Sequence, residues 1–316
     1  MKFIDVFCGM GAFTEALQKE GHECVFACDV DKGARKIYEQ NYGVKPHKDI
    51  RHVLPEEIPA FDILCAGLPL EVGDMPLLHE VVQLLKHHQP RYAFLENVKN
   101  LCIHDEGRTL LTILDMLDDA GYHVKWNVLN AIDFGLPQCR ERVFFVCHRK
   151  DVRCTFQFSM LQNTQEVTPE TRAYPVVRDI LDSEVTMDLT EKIKASYEIR
   201  EVNRKPRAMG SKPYMLSELI CYSTGKGGGQ GQRVYSVDYP GITICAVSGG
   251  VGGSTGLYDV HGKIRTLTAK EVLRMFGFPT EFQYSCSDRR LITYLGSSTC
   301  VPILRALVHH VCGSAI

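Results

Sequence analysis

The 316-residue chain carries almost no net charge: 36 Lys and Arg stand against 38 Asp and Glu, a formal −2. That balance excludes a surface coated in positive charge, so any face for nucleic acid has to be local. No stretch approaches the roughly 18 consecutive apolar residues of a membrane-crossing helix, and no membrane span or membrane partner is expected. Met1-Lys2-Phe3-Ile4 begins like a secretory leader, but Asp5 and the glycines at 9 and 11 break the apolar run at once. A cytoplasmic or nuclear location is therefore expected, with the protein as a monomer. The thirteen cysteines include no C-x-x-C pair and no Cys/His cluster at zinc spacing. This odd, scattered set fits reduced thiols and argues against a disulfide framework or a metal site. With 45% hydrophobic residues, the chain can bury a large core as one large domain or two.

The stretch from Phe61 to Val98 organises the rest. Phe61–Gly67 reads as a short buried strand, and Leu68-Pro69-Leu70-Glu71 turns out of it. An amphipathic run, His79–His88, leads to a second buried strand, Tyr92–Leu95, ending at Glu96-Asn97-Val98. Ligands of open α/β sheets sit beyond the carboxyl ends of the strands, so the Pro69 turn and Glu96 should border one pocket. Upstream, the strand Lys2–Phe7 runs into the glycine turn Cys8–Phe13, which opens a helix over Thr14–Glu20. Such a turn lets the backbone approach a ligand at a helix N-terminus, and it also serves plain packing. Asp29 follows the strand Cys24–Cys28 at the distance where an acidic side chain holds ribose hydroxyls. Asp29 and Asp31 can equally cap the helix Lys32–Asn41. Asp49-Ile50 ends the next unit as a turn or a base contact.

Farther along, a helix over Thr109–Gly121 and a strand over Tyr122–Asn130 precede Gly135-Leu136-Pro137-Gln138-Cys139-Arg140-Glu141-Arg142, which leads into the strand Val143–Cys147. Arg140 and Arg142 alternate with Glu141 and so share a face, either a solvated edge or a functional one. From Lys192 to Arg233 nine Lys and Arg stand against three Glu, either a solvated face or the local excess that phosphate binding requires. The glycine-dense segment Gly225–Gly256 then forms two loops around strands expected at Arg233–Ser236 and Ile242–Cys245; a low-complexity linker is the alternative.

Quoted in order, DVFCGMGAF, ACDVDKGARKIYEQNYG, KDI, DILCAGLPL, FLENVKN and GLPQCRER resemble the motif series of the DNA cytosine-5-methyltransferases. TGKGGGQGQRVYS and ITICAVSGGVGGSTGLYDVHGKIRTLT resemble that family's target-recognition loops. The resemblance implies an α/β fold: a Rossmann-like S-adenosylmethionine-dependent methyltransferase sheet with a smaller, mostly β target-recognition domain. It places the first domain at 1–180 plus 295–316 and the second at 181–294. Arg265–Pro279 is implied as a packing helix that organises the recognition domain, and Tyr294–Pro302 opens a last helix that returns to the first domain. S-adenosylmethionine is implied as cofactor, beside Phe7, Gly9, Met10, Gly11 and Phe13. Asp29 takes the ribose, and Val30, Asp49 and Ile50 surround the adenine, with Pro69 and Ser297 as further contacts. Val30 stands where a bulky aromatic is frequent, and Ser297 where an asparagine is common. Glu96 is implied as the acid and Arg142, with Arg140 beside it, as the clamp on the target base. Duplex DNA is the implied partner, met by Lys226, Gly228, Gln230, Arg233, Ser248, Gly250 and Ser254, with Gln230 reaching the space left by a flipped base.

Two departures stand out. Leu70 occupies the position of the family's cysteine nucleophile and Glu71 that of its glutamine. The connection from Pro69 to Glu96 is also shorter than the family's, and the missing length is the lid over the flipped base. A leucine offers no attacking atom, so impaired catalysis with retained binding is the expectation. The alternative is an active cytosine-5 methyltransferase on DNA or RNA through a displaced nucleophile. Among other thiols, Cys8 and Cys65 read as core residues, and Cys139 should point away from the face of its neighbours.

Overall fold

In the computed structural model, residues 1–68, 76–161, 174–202, 212–247 and 249–313 are described. The expectations for Pro69, Leu70, Glu71 and Ser248, and for Arg204, Lys205 and Arg207 of the basic stretch, lie outside those residues.

Parallel strands covered on both faces read as unbroken apolar runs. The first strand, β1 (Lys2–Val6), is one: every residue after Lys2 is buried, Asp5 included. It is followed by α1 (Ala12–Lys19), β2 (Glu23–Cys28), α2 (Lys32–Tyr42), β3 (Ile63–Gly67), α3 (Pro76–His88), β4 (Tyr92–Val98), α4 (Arg108–Asp119), β5 (Tyr122–Asn130) and β6 (Glu141–Arg149). These strands form one sheet in the order β2-β1-β3-β4-β6-β5. β1 to β4 run parallel, while β6 is antiparallel to both β4 and β5. The chain leaves β1 toward β2 on one side and returns to β3 on the other. That reversal opens a crevice beyond the carboxyl ends of β1 and β3.

Local chemistry sets the helix ends around this crevice. The Asp31 carboxylate accepts from the Gly33 and Ala34 amides at 2.7 and 2.9 Å and starts α2. Gly43, with φ 68°, ends it. Gly11 precedes α1 with φ 90°, and a Cβ there would lie 2.2 Å from Tyr42 Cε2. Both conformation and space therefore demand glycine.

The second sheet follows α5 (Thr190–Lys194). It is built from β7 (Tyr197–Glu201), β8 (Met215–Cys221), β9 (Arg233–Ser236), β10 (Leu257–Val260) and β11 (Lys263–Arg265), in the order β11-β10-β9-β8-β7. Ile193, Leu219, Val234, Leu257 and Ile264 make a small core of its own. The chain ends with α6 (Ala269–Phe276), α7 (Asp288–Ser297) and α8 (Val301–Cys312). A reciprocal cap, Thr268 with Glu271, starts α6. By composition the stretch Asp288–Cys312 is apolar enough to cross a membrane; here it is broken between α7 and α8 and sets Leu291, Leu295, Leu304 and Leu307 into the core.

Position 294/295 lies inside α7, and Phe276, Leu291 and Leu295 share one apolar cluster with Phe3 of β1, Phe13 of α1, and Tyr235 and Tyr258 of the second sheet. The large core thus runs through α6 and α7. One expectation needs revision: Ile242–Cys245 is not a strand. Its backbone groups bond to side chains instead of a ladder: Ile244 N donates to Gln138 Oε1 at 3.1 Å, Ile244 O accepts from Arg140, and Ile242 N meets the Tyr258 hydroxyl at 3.3 Å. Alternation of apolar residues fits an extended segment of either kind.

Candidate functional site

A cavity of about 770 Å³ occupies the crevice. Its lining joins the glycine turn, Asp29–Asp31, Asp49–Arg51, Gly67–Leu68, Glu96–Val98, Arg140, Arg142 and the end of α7. Phe7, Gly9, Met10, Phe13, Asp29, Val30, Asp49, Ile50, Glu96, Arg140, Arg142 and Ser297 all line it, whereas Gly11 supports the turn from behind.

One half is built around Asp29. Its carboxylate accepts from the Gly9 amide and the Asp31 amide, both at 2.8 Å, and burial still raises its pKa above the usual carboxylate range. The turn it holds is bent: Phe7 has φ 59° and Gly9 φ 53°. A non-glycine residue in the left-handed region stores strain, which concentrates at ligand-binding turns. Val30 is 68% exposed on the cavity side, and Ile50 is buried. Asp49 is held by a neighbour two residues on. Arg51 grips both its oxygens, from Nε at 2.9 Å and Nη2 at 2.7 Å, and holds its pKa down to about 2. On the far wall, Tyr294 and Arg290 of α7 donate to Asp31 at 2.7 Å each. Gly33 permits this approach, since a Cβ there would lie 2.2 Å from the Tyr294 hydroxyl.

The other half is built around Glu96. Parallel pairing sets it beside Gly67, and antiparallel pairing sets Val98 beside Arg142. The Glu96 side chain is 8% exposed, with Arg142 Nε at 3.3 Å from Oε1. Burial raises the Glu96 pKa, outweighing the opposing pull of Arg142 and then of Arg140. The result is a carboxyl inclined to keep its proton, beside a guanidinium that faces the same space. Asn97 Nδ2 donates to Leu68 O at 3.2 Å and fixes the chain just past the end of β3.

Arg140 reaches the cavity wall, but its guanidinium is committed elsewhere. Nη1 donates to Ile244 O at 2.9 Å, and Nη2 donates to Gly296 O at 2.9 Å and Ser298 O at 2.7 Å. Its plane lies 5.0 Å from the Phe276 ring centroid. Burial first, then Arg142, pushes its pKa down to about 10. With Gln138, which bonds Ile244 N and Met275 O, it laces β6 to the 241–245 segment and to the turn before α8. The two arginines that share a face therefore do different work: Arg142 meets Glu96, and Arg140 ties backbone.

No thiol on the cavity is activated among the described residues. Cys8 and Cys28 line it, and burial pushes Cys28 up to about 12 and Cys8 well above its ordinary value. Behind the wall, burial raises Cys139 to about 12 and Cys300 to about 11, and Cys65 is fully buried. Cys221 is lowered to about 7 by the hydroxyls of Ser223 and Thr224, but it ends β8 in the second sheet, away from the cavity lining.

The described recognition-loop residues do not line this cavity. Lys226 and Gly250 are exposed, Gly228, Arg233 and Ser254 half-buried. Gln230 turns inward, with Nε2 donating to Thr243 O at 3.0 Å. Part of the glycine density serves loop-on-loop packing: Gly252 N donates to Gly231 O at 2.8 Å, and a Cβ on Gly231 would lie 2.0 Å from Gly249 O. Sequence reasoning missed Arg51, Asn97, Tyr294 and the bracing role of Gln138. One signal was present, because Gly33 early in a helix marks a close neighbour.

Against known proteins, residues 1–312 match the family described as C-5 cytosine-specific DNA methylase. The chain is 33% identical over 334 aligned residues to the Type II methyltransferase M.HhaI of Haemophilus parahaemolyticus, covering 100% of this chain and 95% of that protein. It is 32% identical over 317 residues to M.NgoBI of Neisseria gonorrhoeae, covering 96% and 91%. The Dnmt2 methyltransferase of S. pombe superposes with a TM-score of 0.71 at 18% identity, over 98% of this chain and 97% of that one. The methyltransferase EhMeth of Entamoeba histolytica gives 0.68 at 15%, over 100% and 99%. At those identities the superpositions speak for the fold alone: a Rossmann-like sheet joined to a β-rich domain.

Proposed function

The chain belongs to the C-5 cytosine-specific DNA methylase family, whose methyl donor is S-adenosylmethionine, and from that premise we propose that it binds this cofactor and duplex DNA but transfers methyl groups at a severely reduced rate. The cavity fits the cofactor. Gly9 has open space where a Cβ would stand, the buried Asp29 carboxylate suits a pair of ribose hydroxyls, and Val30, Ile50 and Leu77 offer apolar surface to a base. A volume of about 770 Å³ is within the range of small-molecule sites and leaves room for an extruded pyrimidine beside Glu96. Bound S-adenosylmethionine would supply an electrophilic methyl group.

Cytosine C5 is too weak a nucleophile to take that methyl unaided. The ring has to be activated by addition of a nucleophile at C6, with a proton given near N3 and charge steadied on the base. Glu96, its pKa raised by burial, can hold and give that proton, and Arg142 can steady the base. Nothing in this pair starts the addition. The observation that carries the reading is Leu70 in the sequence that follows β3, at the position of the family's thiol. Cys8 and Cys28 do not replace it, because both are pushed toward the unreactive thiol form. Glu71 is a poor substitute, since a carboxylate is a weak nucleophile toward an alkene carbon and leaves readily. The short 69–75 connection further supports impairment, as a lid that excludes water and offsets the cost of unstacking needs more chain.

The binding half is tested by thermal denaturation with S-adenosylhomocysteine, the demethylated product. A hundredfold excess over the dissociation constant should stabilise the native state by about 2.7 kcal/mol, and Asp29→Ala should remove most of that. Absence of heat and of stabilisation at millimolar ligand would contradict the reading.

A further inference from the structure

A second cavity, of about 540 Å³, opens outside the edge strand β2. One wall is the first part of α2, with Lys32, Arg35, Lys36 and Glu39; the other is the segment Lys45-Pro46-His47-Lys48. That segment is fixed along the strand. His47 N donates to Ala27 O at 2.8 Å, His47 O accepts from Asp29 N at 3.0 Å, and the His47 ring stacks on Phe26 at 4.6 Å. Five Lys and Arg thus face one Glu, in a chain whose total charge is −2.

The fold does not neutralise this charge. Lys32, Lys36, Lys45 and Lys48 join no ion pair among the described residues. The nearest carboxylates are held by others: Asp31 by Arg290 and Tyr294, Asp49 by Arg51. Lys32, Arg35 and Lys36 crowd the first turns of α2, with no acidic residue in its first turn. Cations there oppose the helix dipole, and Lys32 and Lys36 repel each other at i, i+4. The arrangement costs stability unless an anion enters. Its position is also specific. Asp31 and Ala34 line the main cavity while Lys32 and Arg35 line this one, and Arg35 Nη1 donates to Asp29 O at 2.6 Å and Val30 O at 2.9 Å. One helix turn thus borders both cavities.

We propose that the cavity between α2 and Lys45–Lys48 is a phosphate-binding site that takes the backbone of duplex DNA beside the main cavity, irrespective of base sequence. The proposal rests on the reading that the chain binds duplex DNA. Free polyphosphate is the other source of the same chemistry. Binding is measured by fluorescence anisotropy on a mixed-sequence duplex of about 30 base pairs over a salt series, for wild type and the double variant Lys36→Glu/Lys48→Glu. Each phosphate contact contributes about 0.9 to the slope of log K against log salt, so the variant's slope should fall by about 2. Stabilisation by S-adenosylhomocysteine should stay unchanged, which shows the variant folded. Lys36→Arg/Lys48→Arg should keep the wild-type slope, and a charge reversal at Lys2 and Lys86, outside both cavities, should leave it intact. An unchanged slope in Lys36→Glu/Lys48→Glu overturns the proposal, as does an equal fall in the Lys2/Lys86 control. Calorimetric binding of tripolyphosphate that the variant loses, without a change of DNA slope, overturns the backbone assignment in favour of free polyphosphate. Failure of wild type and variant alike to bind the duplex at low salt refutes the DNA reading itself, and this proposal with it.

Discussion

Replacing Arg140 by Met separates a structural tie from a catalytic contact. The guanidinium is buried and donates to Ile244 O, Gly296 O and Ser298 O. These carbonyls belong to the segment after β9 and to the stretch from the end of α7 into the link before α8, so one side chain joins two pieces of chain to the start of β6. Hydrogen bonds from a charged donor contribute about 1.5–3 kcal/mol each, and carbonyls left buried without a donor cost about 1–3 kcal/mol. Against this, methionine relieves the burial of a charge, a burial that pushes the Arg140 pKa down to about 10. Crediting that relief leaves a net loss of about 3–5 kcal/mol for Arg140→Met. Arg140→Lys keeps the charge but lacks the planar fork for three acceptors, and should lose about 1–3 kcal/mol. Urea denaturation reads both. Loss of the tie should also loosen the Ser297 wall, so cofactor binding should weaken with stability. Arg140→Met within 0.5 kcal/mol of wild type, a shift roughly the size of a surface substitution, with cofactor binding intact, would refute the reasoning.

Two glycines two positions apart should part company. Gly11→Ala meets Tyr42 at 2.2 Å with φ 90° and should cost about 2–4 kcal/mol, whereas Gly9→Ala meets nothing within 4 Å and should lose about 1–2 kcal/mol while weakening the cofactor; thermal melts with and without S-adenosylhomocysteine distinguish them. Asp5 should make stability pH-dependent: Thr14 Oγ1 donates to Oδ2 at 2.8 Å, Oδ1 has no partner, and burial raises the pKa from 3.8 to about 7. A raised folded-state pKa means that its stability is fully present below the unfolded value and is lost as pH rises through about 7. Wild type should therefore lose about 4 kcal/mol relative to Asp5→Asn between pH 4 and pH 7.5, read as the difference of urea midpoints across that range.

The legible elements were those where one residue type answers one physical demand. Continuous apolar runs gave β1, β3 and β4, because a strand buried on both faces admits little else. Glycines at 9 and 11 and the acid at 29 marked the cavity, since a left-handed turn and a buried carboxylate leave traces in composition. Glu96 and Arg142 were legible through their motifs, and antiparallel pairing of β4 with β6 brings them together. Arg140 was harder. Alternation places it on the correct face, but the carbonyls it binds lie more than a hundred residues away. No local pattern announces a partner that only the tertiary fold delivers. The same holds for Ile242–Cys245, whose extended sequence is braced by side chains of Gln138 and Arg140, whereas the grip of Arg51 on Asp49 is a local contact between residues two apart. The continuation of the core through α6 and α7 was not legible, because helices that bridge two sheets carry the same apolar pattern as helices that cover one.

The central claim is that an acid and a clamp are assembled without a nucleophile to begin the reaction. Tritium transfer from labelled S-adenosylmethionine to mixed-sequence duplex DNA tests it most directly, at cofactor and DNA concentrations where both are bound. Loss of a nucleophile from a covalent mechanism costs on the order of 10⁶ in rate. Wild type should therefore show no incorporation above background, and Leu70→Cys alone no more than a trace, because Glu71 beside the thiol disfavours the thiolate. Replacing 70–76 with a Cys-Gln turn and a full-length lid should restore far more. Robust incorporation by the wild-type chain would contradict the account.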